Sequence, residues 1–313
     1  MTSGMAQAFN SPYVQFYPTV RCNLECSFCF NRGLSAFEDV RVDDFRRIVS
    51  ILHEEGIRWV DFLGGEPTLH PYLVTLLKIL RDGEMGCNLS TNGTGIEILR
   101  FLSKKFEKEF LRIGVSLHET RLSAELHDYI ITHRPVLKSV MGRKIALAKA
   151  CEAYAHQPGI EYFVLFRDAI GKDDLGECMP FHSYLRKLTH LKRAHPGLDG
   201  VFCTGFIENA TRSRSSPSPR CPAGTTKLSM LPDGSVYPCY LFFRYPEFEL
   251  GNVLEDGFRK VWESPILDFF RAPSPNPCPD TGCRLFPSCH GGCPAHAYAF
   301  SHDLAAPDPR CMG

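Results

Sequence analysis

Three cysteines, Cys22, Cys26 and Cys29, stand as Cys-x3-Cys-x2-Cys directly after a short apolar run that reads as the first strand. Three thiolates on one tight loop can bind three irons of a [4Fe–4S] cube and leave the fourth iron open to a substrate. A structural zinc site wants a closed set of four ligands, and no fourth partner follows nearby. Gly64-Gly65-Glu66-Pro67 ends the next predicted strand; its glycines permit close backbone approach, and its carboxylate complements an ammonium. Alone, that tetrapeptide also reads as a turn and a helix start. Ser90-Thr91-Asn92-Gly93 and Ser116 close the third and fourth predicted strands, where capping and turn formation suit the same residue types.

Seven more cysteines crowd the last third of the chain: Cys221, Cys239, Cys278, Cys283, Cys289, Cys293 and Cys311. Such an array is hard to explain as packing. On thiolate count alone it fits iron–sulfur clusters or a pair of zinc knuckles in a binding module, since both metals take four cysteines. Cys87, Cys151 and Cys178 fall within predicted barrel elements and read as buried small hydrophobes.

The elements that must position these groups alternate between strand and helix. Strands are expected at 13–17, 58–63, 86–91, 111–117, 160–166 and 200–206, which predicts an α/β fold, a partial (β/α)6 TIM-like barrel. Phe45, Ile48, Val49 and Leu52 recur at helical spacing behind Asp43 and Asp44, with Gly56 just beyond, and a second helix is expected from Pro71 through Leu80. In parallel barrels, sites gather at the carboxyl ends of the strands, where the first triplet falls. Residues 207–220 are rich in Ser, Pro and Arg and read as a linker with three solvated arginines. Beyond it, 227–231 and 235–239 flank Pro232-Asp233-Gly234, a hairpin signal, and open a small Cys-rich domain over 221–313. The expected division is thus 1–206, 207–220 and 221–313.

Lys plus Arg and Asp plus Glu each total 35 in the 313 residues, so charge singles out neither nucleic acid nor a membrane surface as partner. No export signal opens the chain and no apolar run reaches transmembrane length. A cytoplasmic chain is expected, and its 14 cysteines read as metal or cluster ligands rather than disulfides.

The run from Arg21 to Phe30, RCNLECSFCF, resembles the signature loop of the radical S-adenosylmethionine superfamily, and Gly64–Pro67 resembles that family's GGEP motif. The resemblance implies that Cys22, Cys26 and Cys29 carry a [4Fe–4S] cluster and that Phe28 lies near the adenine of S-adenosylmethionine. It also implies that Gly64, Gly65, Glu66 and Pro67 meet the methionine ammonium, and that Ser90, Asn92 and Ser116 meet its carboxylate or ribose. Many relatives carry an acid two positions beyond that serine; His118 stands here. The carboxyl-terminal array, with LPDGSVYPC at 231–239 and LGNVL at 250–254, resembles the SPASM extension. By that resemblance, Cys221, Cys239 and Cys293 hold one auxiliary [4Fe–4S] cluster, and Cys278, Cys283, Cys289 and Cys311 a second. Cys278 and Cys283 stand four residues apart instead of the usual two. The first auxiliary set lacks a fourth cysteine, a place open to Cys203, a non-cysteine ligand or the substrate.

The activity implied is reductive cleavage of S-adenosylmethionine to a 5′-deoxyadenosyl radical that abstracts hydrogen from a substrate carbon, followed by oxidation through the auxiliary clusters. Peptide or protein maturation by crosslinking, dehydrogenation or epimerisation is the favoured outcome. A small molecule such as an aminocyclitol, sugar or tetrapyrrole is the alternative substrate, and an iron–sulfur electron carrier the non-enzymatic one. A flavodoxin- or ferredoxin-type reductant is implied as partner. Only 21 residues precede Cys22, so a leader-binding domain is not expected there and a separate protein would present a peptide. Sulfatase-maturing relatives place a basic aspartate after the Cys239 position; here Tyr240 stands there as the candidate proton acceptor.

Overall fold

The computed structural model describes residues 12–34, 37–117, 122–143, 153–206 and 219–311. His118, Cys151 and most of the expected linker, 207–218, lie outside the described residues. Ten strands form one open sheet in the order β10-β9-β8-β1-β2-β3-β4-β5-β6-β7. The strands are β1 Tyr13–Phe16, β2 Trp59–Phe62, β3 Gly86–Thr91, β4 Leu111–Ser116, β5 Val136–Met141, β6 Tyr162–Phe166, β7 Leu198–Val201, β8 Lys227–Met230, β9 Ser235–Tyr237 and β10 Gly251–Asn252. From β8 through β7 every pairing is parallel, and β9 and β10 continue the other edge antiparallel.

Alternation along the strands separates two environments. Val14, Phe16, Val60, Phe62, Cys87 and Leu89 are buried, as is the apolar stripe Phe45, Ile48, Val49 and Leu52 of α1 (Val42–Glu54). The opposite face, with Gln15, Asp61, Asn88, Arg112 and Lys138, lines a cavity of about 370 Å³ in the barrel lumen. Gln15 is level with Asp61, Asp61 with Asn88, and Asn88 with Arg112.

Three expectations change. The parallel run holds a strand, β5, that sequence periodicity does not reveal: in Val-Leu-Lys-Ser-Val-Met the buried face carries Ser139 and the lumen face Lys138. The expected strand at 200–206 runs instead over Leu198–Val201 and gives way to a 3-10 turn, Thr204–Phe206. Gly205 requires this turn, because its carbonyl accepts from His290 and Gly292 N–H and a Cβ there would fall on the Gly292 carbonyl. The helix α2 (Leu73–Asp82) starts two residues after Pro71, since His70 Nδ1 accepts the Tyr72 N–H and makes a turn first.

The hairpin at 232–234 forms as expected, Gly234 taking φ +89°. One linker arginine does not behave as a solvated side chain. Arg220 is buried, and its guanidinium donates to the carbonyls of Gly291, Gly292, Leu304, Ala305 and Ala306. It gathers the loops that carry the last cysteines. Arg220→Met leaves those carbonyls unpaired in a dry interior, and urea denaturation should show a loss of about 3 kcal/mol or more. Arg220→Lys, with three donors for five acceptors, should recover only part of it.

Candidate functional site

The first cysteine loop is fastened from two sides. Gly65 N–H donates to the Thr19 carbonyl at 3.1 Å and Glu66 N–H to the Arg21 carbonyl at 2.7 Å. Gly64 takes φ +122°, and a Cβ on either glycine would fall on those carbonyls, so only glycine lets the two loops meet. On the other side Asn92 Nδ2 donates to Asn23 Oδ1 and Asn23 Nδ2 to Thr94 Oγ1, both at 2.9 Å. The Arg21–Asp39 ion pair and an Asn31 bridge to the Gly64 carbonyl complete the frame.

Glu66 ties the second loop to the third. Its carboxylate is buried and accepts from Thr68 N–H (3.1 Å), Thr68 Oγ1 (2.7 Å), Thr91 Oγ1 (2.8 Å) and Asn92 N–H (2.6 Å). Oε1 takes three of these bonds and Oε2 only that of Asn92 N–H, so the carboxylate holds the second loop to the third while Oε2 keeps acceptor capacity. Pro67 is buried at the start of the 3-10 turn Pro67–Leu69 and does not line the lumen.

Cys22, Cys26, Cys29, Phe28, Gly64, Gly65, Glu66, Ser90, Asn92 and Ser116 all line the lumen cavity. Lys138, which sequence reasoning missed, reaches across β4 to donate to Ser90 Oγ at 2.7 Å. Gly114 makes the crossing possible, since a Cβ there would press on the lysine Cε and Nζ. Below them Asn88 Nδ2 donates to Asp61 Oδ1 at 2.6 Å; burial raises the Asp61 pKa and lowers that of Lys138.

Tyr240 also lines the lumen, with its ring 4.3 Å from Phe30, the residue after Cys29. Burial, then Asp168, pushes its phenol well above the ordinary tyrosine value, so it stays protonated near neutral pH. Its hydroxyl donates to Asp168 Oδ2 at 3.3 Å. Arg310 Nη1 lies 3.2 Å from the other carboxylate oxygen. Asp168 follows β6 in a segment with no motif around it.

The carboxyl-terminal cysteines divide into two groups. Cys221, Cys239 and Cys293 are buried and act electrostatically on one another. Cys203 hydrogen-bonds Cys293, which brings a fourth thiol into the group that sequence left one short. Cys278, Cys283, Cys289 and Cys311 form the second, half-buried group around Cys311.

These thiols fit cluster ligation better than free existence. Burial pushes Cys221 and Cys239 up to about 12, so they need a cation to ionise. Lys227 supplies part of one: burial opposes its charge, but Tyr13, Cys239, Cys221 and Cys203 together raise its pKa. His296 packs against the same group. Its Nε2 accepts from Ala169 N–H at 3.1 Å and lies 3.3 Å from Asp168 Oδ1. A ring nitrogen, Cys293 Sγ and an Asp308 oxygen lie within 4.8 Å of one another, and the imidazole opposes the upward shift that Cys203 and burial impose on Cys293. Asp308 is already taken by Cys293 N–H and Arg310.

Residues 16–155 match the model of the radical SAM superfamily, and residues 221–294 that of SPASM, an iron–sulfur cluster-binding domain. The chain belongs to the radical SAM superfamily and carries a SPASM domain. It is an enzyme whose cofactors are [4Fe–4S] clusters and S-adenosylmethionine. It is 24% identical to the antilisterial bacteriocin subtilosin biosynthesis protein AlbA of Bacillus subtilis, over 94% of this chain and 69% of the relative. It is 23% identical to the PqqA peptide cyclase of Gluconobacter oxydans, over 94% and 88%. Among solved structures, Streptococcus suis SuiB bound to S-adenosylmethionine superposes with a TM-score of 0.73 at 19% identity, covering 97% of this chain and 78% of that one.

Three outcomes follow from this geometry. Glu66→Ala strands the donors of Thr91 and Asn92 and should cost about 3 kcal/mol in chemical denaturation. Cys203→Ala should lower bound iron by up to one cluster's complement, about four irons per chain, leaving the spectrum of the Cys22–Cys29 cluster intact; unchanged iron would exclude Cys203 as a ligand. His296→Phe removes the imidazole that favours charge on Cys293 and should make the potential of that auxiliary cluster more negative at unchanged iron content, measured by redox titration followed by electron paramagnetic resonance.

Proposed function

We propose that this enzyme matures a peptide or protein by oxidising an unactivated carbon within the lumen. The observation that carries the reading is the shared cavity: the first cysteine loop, the glycine loop and Tyr240, the residue after Cys239, all face one space of about 370 Å³. The curated relatives, a bacteriocin biosynthesis protein, a peptide cyclase and the mycofactocin maturase of Mycobacterium tuberculosis, support a peptide as the substrate.

When bound, a reduced cluster on Cys22, Cys26 and Cys29 supplies the electron that splits S-adenosylmethionine into methionine and a 5′-deoxyadenosyl radical. The protein's own residues bind, orient and exclude water. Phe28 offers a face to the adenine, the Gly64–Gly65 carbonyls accept from the ammonium, and Ser90 with Lys138 offers donors to a carboxylate. Apolar Leu63, Phe163, Leu165 and Val201 line the same cavity and keep competing solvent away from a reactive carbon. Asp168, with Tyr240 as its donor, takes the proton that an oxidised substrate carbon releases. Cys203, Cys221, Cys239 and Cys293 hold the first auxiliary cluster in this reading and Cys278, Cys283, Cys289 and Cys311 the second; a flavodoxin- or ferredoxin-type protein is the reductant.

Anaerobic protein reconstituted with iron and sulfide, then given dithionite and S-adenosylmethionine, should release 5′-deoxyadenosine, and Cys26→Ala should release none. Absence of product from fully loaded wild-type protein, with and without candidate peptides, would count against the reading.

A further inference from the structure

On this chain of zero net charge some surface arginines pair with carboxylates, as Arg47 with Asp44, Arg100 with Asp128 and Arg112 with Glu161, while others, such as Arg46 and Arg259, have no ion pair among the described residues. One surface gathers several unpaired cations around a single groove. The helix α6 (Phe181–Ala194), preceded along the chain by α3 (Ile96–Lys105), α4 (Ala124–His133) and α5 (Lys172–Glu177), contains Arg186, Lys187, His190, Lys192 and Arg193 and no acid. Lys192 alone is ion-paired, to Asp199 at 2.7 Å. Arg186 donates to Ser183 Oγ, and among the described residues Arg186, Arg193 and Arg284 have no carboxylate within ion-pair distance. These three guanidiniums and His190 surround a groove of about 470 Å³ with Leu185 and Leu285 at its base.

The groove abuts the second auxiliary cysteine group. Arg284 follows Cys283 in the chain, and His182 Nε2 of α6 lies 3.4 Å from Cys283 Sγ. The cysteines of this group are half-buried, whereas Cys221, Cys239 and Cys293 of the other group are buried. The second group is therefore the one nearer solvent, bordered on its groove side by Arg284 and the cations of α6, with exposed Asp280 between Cys278 and Cys283.

We propose that this groove docks a small acidic electron-transfer protein, which delivers electrons through the second auxiliary cysteine group. The inference rests on the reading that Cys278, Cys283, Cys289 and Cys311 hold a cluster. Unpaired like charges around one groove concentrate positive potential, speed encounter with an anionic partner and set its orientation, while the two leucines give the docked face a dry contact. The transfer moves one electron: the carrier's reduced flavin or iron–sulfur centre is oxidised and the chain's clusters are reduced, with no bond made or broken.

The test uses reconstituted holoenzyme and reduced flavodoxin, and compares wild type with Arg186→Glu/Arg193→Glu/Arg284→Glu, three exposed changes that leave the cysteines untouched. The variant should bind flavodoxin at least tenfold more weakly at low salt, and flavodoxin should reduce its clusters at least tenfold more slowly. Wild-type rates should fall as salt rises, and the variant's should lose most of that dependence. Iron content, and reduction by excess dithionite, should not change; if wild-type protein fails on these two counts the cluster reading itself is wrong. Equal flavodoxin binding and reduction in both proteins would overturn the docking proposal, as would a groove that binds an acidic peptide or an oligonucleotide in a charge-dependent way while flavodoxin does not bind.

Discussion

A buried carboxylate cannot stay ionised without donors, and the Glu66 side chain meets that demand by drawing four of them from two different loops. Because Thr91 and Asn92 belong to the third loop and Thr68 to the second, satisfying one charge fixes both loops at the carboxyl ends of β2 and β3. The glycine pair beside it then presses the second loop onto Thr19 and Arg21, immediately before Cys22. Asn92 closes the circuit by reaching Asn23. The position of the first cysteine triplet is thus set by a chain of obligatory hydrogen bonds that begins at one charge.

The auxiliary groups follow the same logic with the opposite sign. Thiols sealed from water ionise only beside positive charge or polar groups, and the fold provides them in Lys227, in His296 and in the buried Arg220, which shapes the loops around them through five backbone carbonyls. Burial that would be a liability in an empty thiol pocket becomes an asset once iron is ligated, since it keeps water off the sulfurs and lets fixed donors tune the potential.

What could be read from the sequence was local. Cys22, Cys26 and Cys29, the glycine loop and the hairpin at 232–234 are short-range patterns, and the structure puts each where its spacing implied. The helix stripe of Phe45, Ile48, Val49 and Leu52 was equally plain. Lys138, Asp168 and His296 were not legible, because each acquires meaning only from a partner many residues away: Ser90, Tyr240 and Ala169. β5 escaped for a different reason. Val136, Leu137, Lys138, Ser139, Val140 and Met141 put apolar side chains on both faces and run in apolar and polar pairs, so no alternation of period two could register.

The parallel pairing of β8 with β1 has a further consequence. Two segments that match separate family models share one continuous sheet, in which Tyr13, Val14, Gln15 and Phe16 are level with Lys227, Leu228, Ser229 and Met230. The carboxyl-terminal segment therefore completes the edge of the barrel instead of hanging from it. Removing it would bare a row of unsatisfied peptide groups on β1, the kind of open edge along which copies of a protein stick together. The ladder between β1 and β8 thus fixes the loop that follows β1, with its three cysteines, relative to the hairpin that leads to Cys239.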